Sequence, residues 1–376
     1  MSFSIGWLDS LVFSMAPLGV ITAIVGAIRL GGPSSLRGLI GRARETRAAA
    51  EVELMSSTSH EVCELWNGDA IVRVMGSPRI QQFFFFENLP DNYRDGKLTQ
   101  NPTETKLPIF TMSGALGNVI VKRPKRRSLF NWHITKSKAN DDEAGVTEPT
   151  KNIAPNISLN LNVEQKAWEL YAAVVVGILT QVAVIGIATY TSYSPALQFN
   201  KAGLMIQSHS YPMACIGTLL LMTGMFVAAS VVQQSTDEEK YELHPDLPKN
   251  VKLFVFWIQK GRVINDQNFD SYAIFVNDAV DVVRTSRRHS LEDNSDRNAI
   301  QHIQIFTVFG TVAAIAGFVL QFIGLRGLHW SASTAQLAAT ILMTVVRALL
   351  RREITTRPAA VKLEKGFELE WLATKL

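Results

Sequence analysis

The chain has 376 residues, 47% of them hydrophobic, and a formal net charge of +4 from 37 Lys and Arg against 33 Asp and Glu. Its two cysteines, Cys63 and Cys215, exclude a disulfide-stapled secreted framework, and no repeat of solenoid period is present. Mean hydropathy is only mildly positive because apolar residues are gathered into blocks between ordinary polar stretches.

The first block, LVFSMAPLGVITAIVGAI, begins at Leu11 and carries no charge. Further blocks follow at 168–190, 212–232 and 303–325, each close to the roughly 20 residues needed to cross about 30 Å of hydrocarbon. Backbone groups at that depth must be satisfied within the segment, so all are expected to be helices. A fifth block at 332–350 starts with Ser333, Thr334 and Gln336 and carries Arg347 near its end. It is expected to span because an arginine one turn from a helix end can snorkel to the headgroups. A buried or interfacial helix is the alternative there. Trp168 and Trp330 stand at segment ends, where amphipathic rings prefer to lie.

Basic residues set an expected orientation. No lysine or arginine precedes the first block, whereas Arg29, Arg37, Arg42, Arg44 and Arg47 follow it. A signal peptide has the reverse arrangement, so the block is read as a retained helix at 11–29 with the N-terminus outside. Five crossings then place 31–166 in the cytosol, 191–211 outside, 233–301 in the cytosol, and a tail at 351–376 in the cytosol. The external loop carries only Lys201, and Arg351 and Arg352 follow the last block on the cytosolic side.

Between the blocks, Leu36, Leu39, Ile40, Ala43, Ala50 and Leu54 have the spacing of one amphipathic helix over 36–55. Alternation and β-branched or aromatic content predict strands at 70–75, 82–86, 118–121, 157–163 and 251–258. Ala273, Val276, Val280 and Val283 are three or four apart, which predicts a helix over 271–287. The expected fold is therefore an α-helical multi-pass membrane protein of five transmembrane helices. Its cytosolic α+β domain is built from two loops.

The residues offer little chemistry. His60 and Cys63 are three apart, but no further ligand pair lies nearby to complete a metal site, and no third group completes a nucleophile pair. GALG at 114–117 lacks the spacing of a phosphate loop. No catalytic residue, cofactor or metal is expected, and the chain is read as not being an enzyme. Lys122, Arg123, Lys125, Arg126 and Arg127 form a basic run for which anionic lipid headgroups are the fitting partner beside a bilayer; a nucleic-acid partner is not expected. Arg287-Arg288-His289-Ser290 has the form of a basophilic kinase site, which makes Ser290 a candidate for phosphorylation. Asn156-Ile157-Ser158 is a formal glycosylation sequon on the side where it would stay unmodified.

Inside the blocks the polar residues are uncharged: Thr180, Gln181, Thr218, Thr223, Gln304, Thr307, Thr311 and Gln321. The absence of ionisable residues at the helix centres disfavours proton-coupled or voltage-sensing transport. Gly19, Ala23 and Ala27 recur every four residues on the first block as a helix-packing stripe, and Gly310 with Ala314 and Ala313 with Gly317 repeat the pattern on the fourth.

Longer strings carry a resemblance. GWLDSLVFSMAPLGVITAIVGAIRLGGP, GRARETRAAAEVELMSSTSHEVCELWNG, INDQNFDSYAIF and the ending GFELEWLATKL resemble a family of fungal multi-pass membrane proteins. In longer members of that family a comparable region is coupled to ankyrin repeats. The resemblance implies no catalytic activity and no residue-level site. The expected function is a membrane-anchored protein that binds a protein partner or senses a signal, with an oligomeric channel or transporter as the alternative.

Overall fold

A computed structural model describes residues 7–15, 19–76, 80–90, 109–111, 121–122, 154–161, 167–194, 207–264, 266–288, 294–352 and 357–375. The chain divides into a helical unit (Met1–Ala50, Val163–Ser235, Leu291–Ile354) and a sheet unit (Glu51–Asn162, Thr236–Ser290, Thr355–Leu376).

The helical unit opens with α1 (Trp7–Ser14), α2 (Val20–Gly31) and α3 (Ser34–Leu39), and α4 (Arg47–Leu54) lies across its boundary with the sheet unit. The stretch expected as one amphipathic helix over 36–55 is thus two helices. Gly41, at φ 74°, takes a left-handed conformation that ends the first. Glu45 in the intervening turn pairs with Arg29 at the end of α2.

The sheet unit starts with β1 (Val62–Trp66), β2 (Ile71–Met75), β3 (Ile80–Glu87), β4 (Ile109–Thr111), β5 (Val121–Lys122) and the short helix α5 (Ser158–Leu161). Two long helices of the helical unit follow, α6 (Ala167–Tyr193) and α7 (Ser210–Gln234). The chain then returns to the sheet unit with β6 (Thr236–Leu243), β7 (Lys252–Gln259), β8 (Arg262–Ile264), β9 (Gln267–Phe269), β10 (Tyr272–Phe275) and β11 (Val282–Arg288). Helices α8 (Asn294–Gly327) and α9 (Trp330–Leu350) complete the helical unit, and β12 (Ala359–Lys362) and α10 (Glu368–Lys375) complete the sheet unit.

Among the described residues, four helices are long and apolar enough to cross a bilayer, over Trp168–Tyr193, Ser210–Gln234, Ile300–Gly327 and Trp330–Leu350. The chain is a multi-pass helical membrane protein with a sheet-containing unit. The first apolar block differs from the single helix expected at 11–29. It is the eight-residue α1 and the twelve-residue α2, and Gly19 before α2 has φ 78°. A helix of twelve residues is only about 18 Å long.

Glycines bring α7 and α8 together. A Cβ on Gly217 would collide with the backbone of Gln321, one on Gly224 with Ala314, one on Gly317 with Leu221 and one on Gly324 with Ala214. These glycines recur every seven residues on both helices, so each backbone fits against its neighbour along the pair. Ala23 packs with Leu221, Met225 and Ala314, and Ala27 packs with Ala228 and Val231, whereas a Cβ on Gly19 would meet only Thr22. The role of Gly19 is conformational, not close packing.

In the sheet unit a five-stranded antiparallel sheet has the order β12-β10-β7-β3-β4. The run Phe83–Phe86 alternates across it. Phe84 and Phe86 join Trp257, Leu253 and Ile274 on one face, and Phe83 and Phe85 join Phe256, Ile258 and Ala273 on the other. Trp371 and Leu372 of α10 pack against the second face. The sheet draws on three stretches of chain, not the two expected, because the C-terminal stretch adds β12 beside β10.

Two secondary-structure expectations fail for identifiable reasons. The helix expected over 271–287 is β10 and β11, each paired antiparallel along its length, so cross-strand pairing overrides the valine spacing. The strand expected over 157–163 is the helical turn α5, whose first N–H groups are taken by Glu64.

Candidate functional site

The polar residues of the sheet unit hold its stretches together. Glu64, fully buried on β1, accepts the N–H groups of Ile157 at 2.7 Å and Ser158 at 2.8 Å, and the Ser158 hydroxyl at 2.7 Å. Arg73 on β2 donates to the same carboxylate at 2.9 Å. Glu51 is equally buried; it accepts from Ser57 Oγ and Ser59 Oγ and pairs with Arg288 at 3.0 Å. Burial pushes the Glu51 carboxyl above its ordinary range, and Ser57, Arg288, Ser59 and Arg73 oppose that push. Asn156 is buried, donates to Ser56 O at 3.0 Å and accepts from Ser286 N at 3.0 Å. The amide of the formal sequon is therefore occupied. The cluster is bonded within itself, with Arg288 Nη1 held to Glu51 as an ion pair alone, so it builds the fold.

Cys63 lies on β1 with no exposure, its thiol facing Val74 O at 3.7 Å. Burial, reinforced by Glu64, pushes the thiol up to about 12, so it stays protonated at neutral pH. His60 is exposed just before the strand. Among the described residues no group of three His, Cys, Asp or Glu is placed to hold a metal ion.

The other sequence candidates separate. Lys122 is in β5, its backbone paired with Glu242, while Arg123, Lys125, Arg126 and Arg127 lie outside the described residues. Ser290 also lies outside them. The two arginines before it are engaged in the fold, Arg287 with Thr58 and Ala154 O, and Arg288 with Glu51 and Glu61.

The helical unit is where polar groups gather without serving a sheet. Its first block folds back on itself. At its start, Ser10 Oγ donates to Gln233 Oε1 at 3.4 Å and Asp9 pairs with Arg351 at 3.3 Å. At its end, a Cβ on Gly31 would collide with Val231. Gln233 and Val231 share the last turn of α7, so α1 enters and α2 leaves at one end of the bundle. Between them, Phe13 and Ala23 reach Leu221 and Ala314, and Met15 lies against Gly177 of α6. Arg347 places its guanidinium 4.5 Å above the Phe13 ring.

Beside this hairpin the spanning helices bury amides. Gln181 donates from Nε2 to Met15 O at 3.2 Å, and Gln321 donates from Nε2 to Thr218 Oγ1 at 3.0 Å. Gln181 Oε1, Gln336 Oε1 and Thr311 Oγ1 are buried with no hydrogen-bond partner among the described residues. The amides were legible as polar residues in apolar blocks. Which of them are buried depends on which helix faces meet, which sequence alone does not state.

No family model, curated protein or solved structure matches this chain.

Proposed function

We propose that this is a non-enzymatic, membrane-anchored sensing protein whose sheet unit binds a protein partner in the cytosol. The helical unit sets the state in which it does so. The observation that carries this reading is covalent continuity. Ser235 alone separates α7 from β6, and a short segment separates β11 from α8. The two helices are fitted together through glycines, and the two strands continuing them pair from Thr236↔Arg288 to Glu242↔Val282. A shift of one helix along the other thus has a short path into the strand pair.

The orientation that goes with this reading has four crossings and both termini in the cytosol, in place of five with the N-terminus outside. The hairpin formed by α1 and α2 supports it, as does the pairing of strands from three stretches of chain within one sheet, which keeps those stretches on one side. Arg37, Arg42, Arg44, Arg351 and Arg352 then share the cytosolic side. The resemblance to fungal multi-pass proteins is in keeping with it. An oligomeric channel or transporter is the second reading, favoured by the buried amides of the spanning helices.

Proximity labelling from a C-terminal tag tests the first reading. The expected result is a reproducible set of cytosolic neighbours, lost in Trp257→Asp, which disrupts the sheet core while the helices still insert. An unchanged set in that variant would overturn partner binding by the sheet unit. Ion flux into proteoliposomes above protein-free vesicles would favour the second reading.

A further inference from the structure

Each spanning helix carries one polar side chain that is at least nine-tenths buried at nearly one height: Gln181 on α6, Thr218 on α7, Gln321 on α8 and Gln336 on α9. The register follows from the packing. On α9 the buried residues are Ala332, Gln336, Ala339 and Met343, a single stripe. On α6 the facing stripe includes Val174, Gly177, Gln181, Val184 and Ala188. Met343 packs with Val174 and beside Gly177, while Ala332 clusters with Ala188, so the two stripes run in opposite directions. At about 1.5 Å per residue from the Gly177–Met343 contact, Gln181 and Gln336 differ in height by only about 5 Å. Gln181 lies midway between Val174 and Ala188. Thr218 lies midway between Met222 and Ala214, which α7 contributes to the same two clusters.

The amide of Gln181 has a fixed sense. Its Nε2 must face Met15 O, because a carbonyl can only accept, so Oε1 is turned away from the hairpin. That oxygen and Gln336 Oε1 are both buried and unpartnered among the described residues. Thr218 and Gln321, by contrast, satisfy one another at 3.0 Å. The unused groups at this height are therefore two acceptors on facing helices. A buried amide oxygen strongly favours a donor where water is scarce.

We propose that Gln181 Oε1 and Gln336 Oε1 form an intramembrane binding site for one small uncharged molecule carrying O–H or N–H donors, of the polyol or urea type. An uncharged ligand fits because the spanning segments carry no Asp, Glu, Lys or Arg near this height to balance a charge. The site stands independently of what the sheet unit binds.

The test uses the full chain in nanodiscs with glutamine labelled by ¹⁵N in its side chain, titrated separately with glycerol, urea and ammonium chloride. The two resonances are assigned through Gln181→Leu and Gln336→Leu. The expected result is a saturable shift of both resonances with glycerol or urea, and none with ammonium. Replacing either glutamine should weaken binding at the other about tenfold, the effect of losing one hydrogen bond. Absent or non-saturating shifts would overturn the proposal and leave water as the partner of these oxygens. Saturation by ammonium alone would overturn the uncharged class. Leucine fills a similar volume and removes an unpaired acceptor at both positions, while at 181 it also removes the bond to Met15 O, so elution with intact α-helical signal checks that each variant folds.

Discussion

Glu64 and Arg73 stand opposite each other in the register of β1 and β2, and their ion pair at 2.9 Å is joined to the backbone of Ile157 and Ser158. One carboxylate thus ties a strand pair to a segment almost a hundred residues away. Glu64→Ala would leave the Arg73 guanidinium without its carboxylate, with only the carbonyls of Glu51, Val52 and Ser57 accepting from it, and two N–H groups unsatisfied. The expected loss is about 3–5 kcal/mol of sheet-unit stability. Hydrogen exchange over 154–161 should rise well above wild type in that variant, and unchanged protection there would refute this account.

The glycine contacts between α7 and α8 predict a position-specific response. Gly317→Leu drives a side chain into the Leu221 backbone, whereas Gly186→Leu enters open space on α6. Overpacking of this kind costs about 1–3 kcal/mol or more. The first variant should lower the thermal midpoint in detergent and the second should not. Equal effects would show that the close approach is unimportant.

Cys63 gives a pH signature. The thiol is raised from an ordinary 9.0 to about 12 in the fold, so the protein favours its neutral form. Its stabilising contribution is whole below pH 9 and is lost as pH rises from about 9 to about 12. At pH 8 Cys63 should resist maleimide until denaturant is added. Rapid labelling of the folded chain would contradict the burial.

The paired ends of the N-terminal hairpin give a direct test of orientation. With the Asp9 carboxylate 3.3 Å from the tip of the Arg351 side chain, cysteines placed at 9 and 351 in a Cys63→Ser, Cys215→Ser background are too far apart for a direct disulfide but should be joined by a short bis-maleimide. A first helix crossing with its N-terminus outside would put those positions on opposite sides of the bilayer. Failure to cross-link, with α-helical signal intact, rules out the hairpin.

Much of this fold was legible. Block length identified the spanning helices, including the one with the polar start, and alternation located β2, β3 and β7. Other parts were obscured by tertiary contacts. β1 was missed because Glu64 interrupts its apolar run, and it is buried there only because Arg73 and the 157–158 backbone meet it. The division of the first block had a signal in Met15-Ala16-Pro17-Leu18-Gly19, where a proline and a glycine fall inside an apolar run. The small-residue stripe was read at a four-residue spacing, whereas the glycines of α7 and α8 that exclude a Cβ are seven apart. For the amides, sequence supplied the residue types and burial supplied the selection: Thr223 is exposed enough to be ordinary, while Gln181 and Gln336 are not.

The pairing of β12 with β10 bears on how the protein is made. Strand β10 is synthesised before α8 and α9, and β12 after both. During translation the sheet therefore waits, with the β10 edge unpaired, until two more helices have left the ribosome and been inserted. An open strand edge invites pairing with other chains. A chain cut short between Leu350 and Ala359 would have all its spanning helices but an incomplete sheet, a form suited to capture by chaperones or to degradation at the membrane.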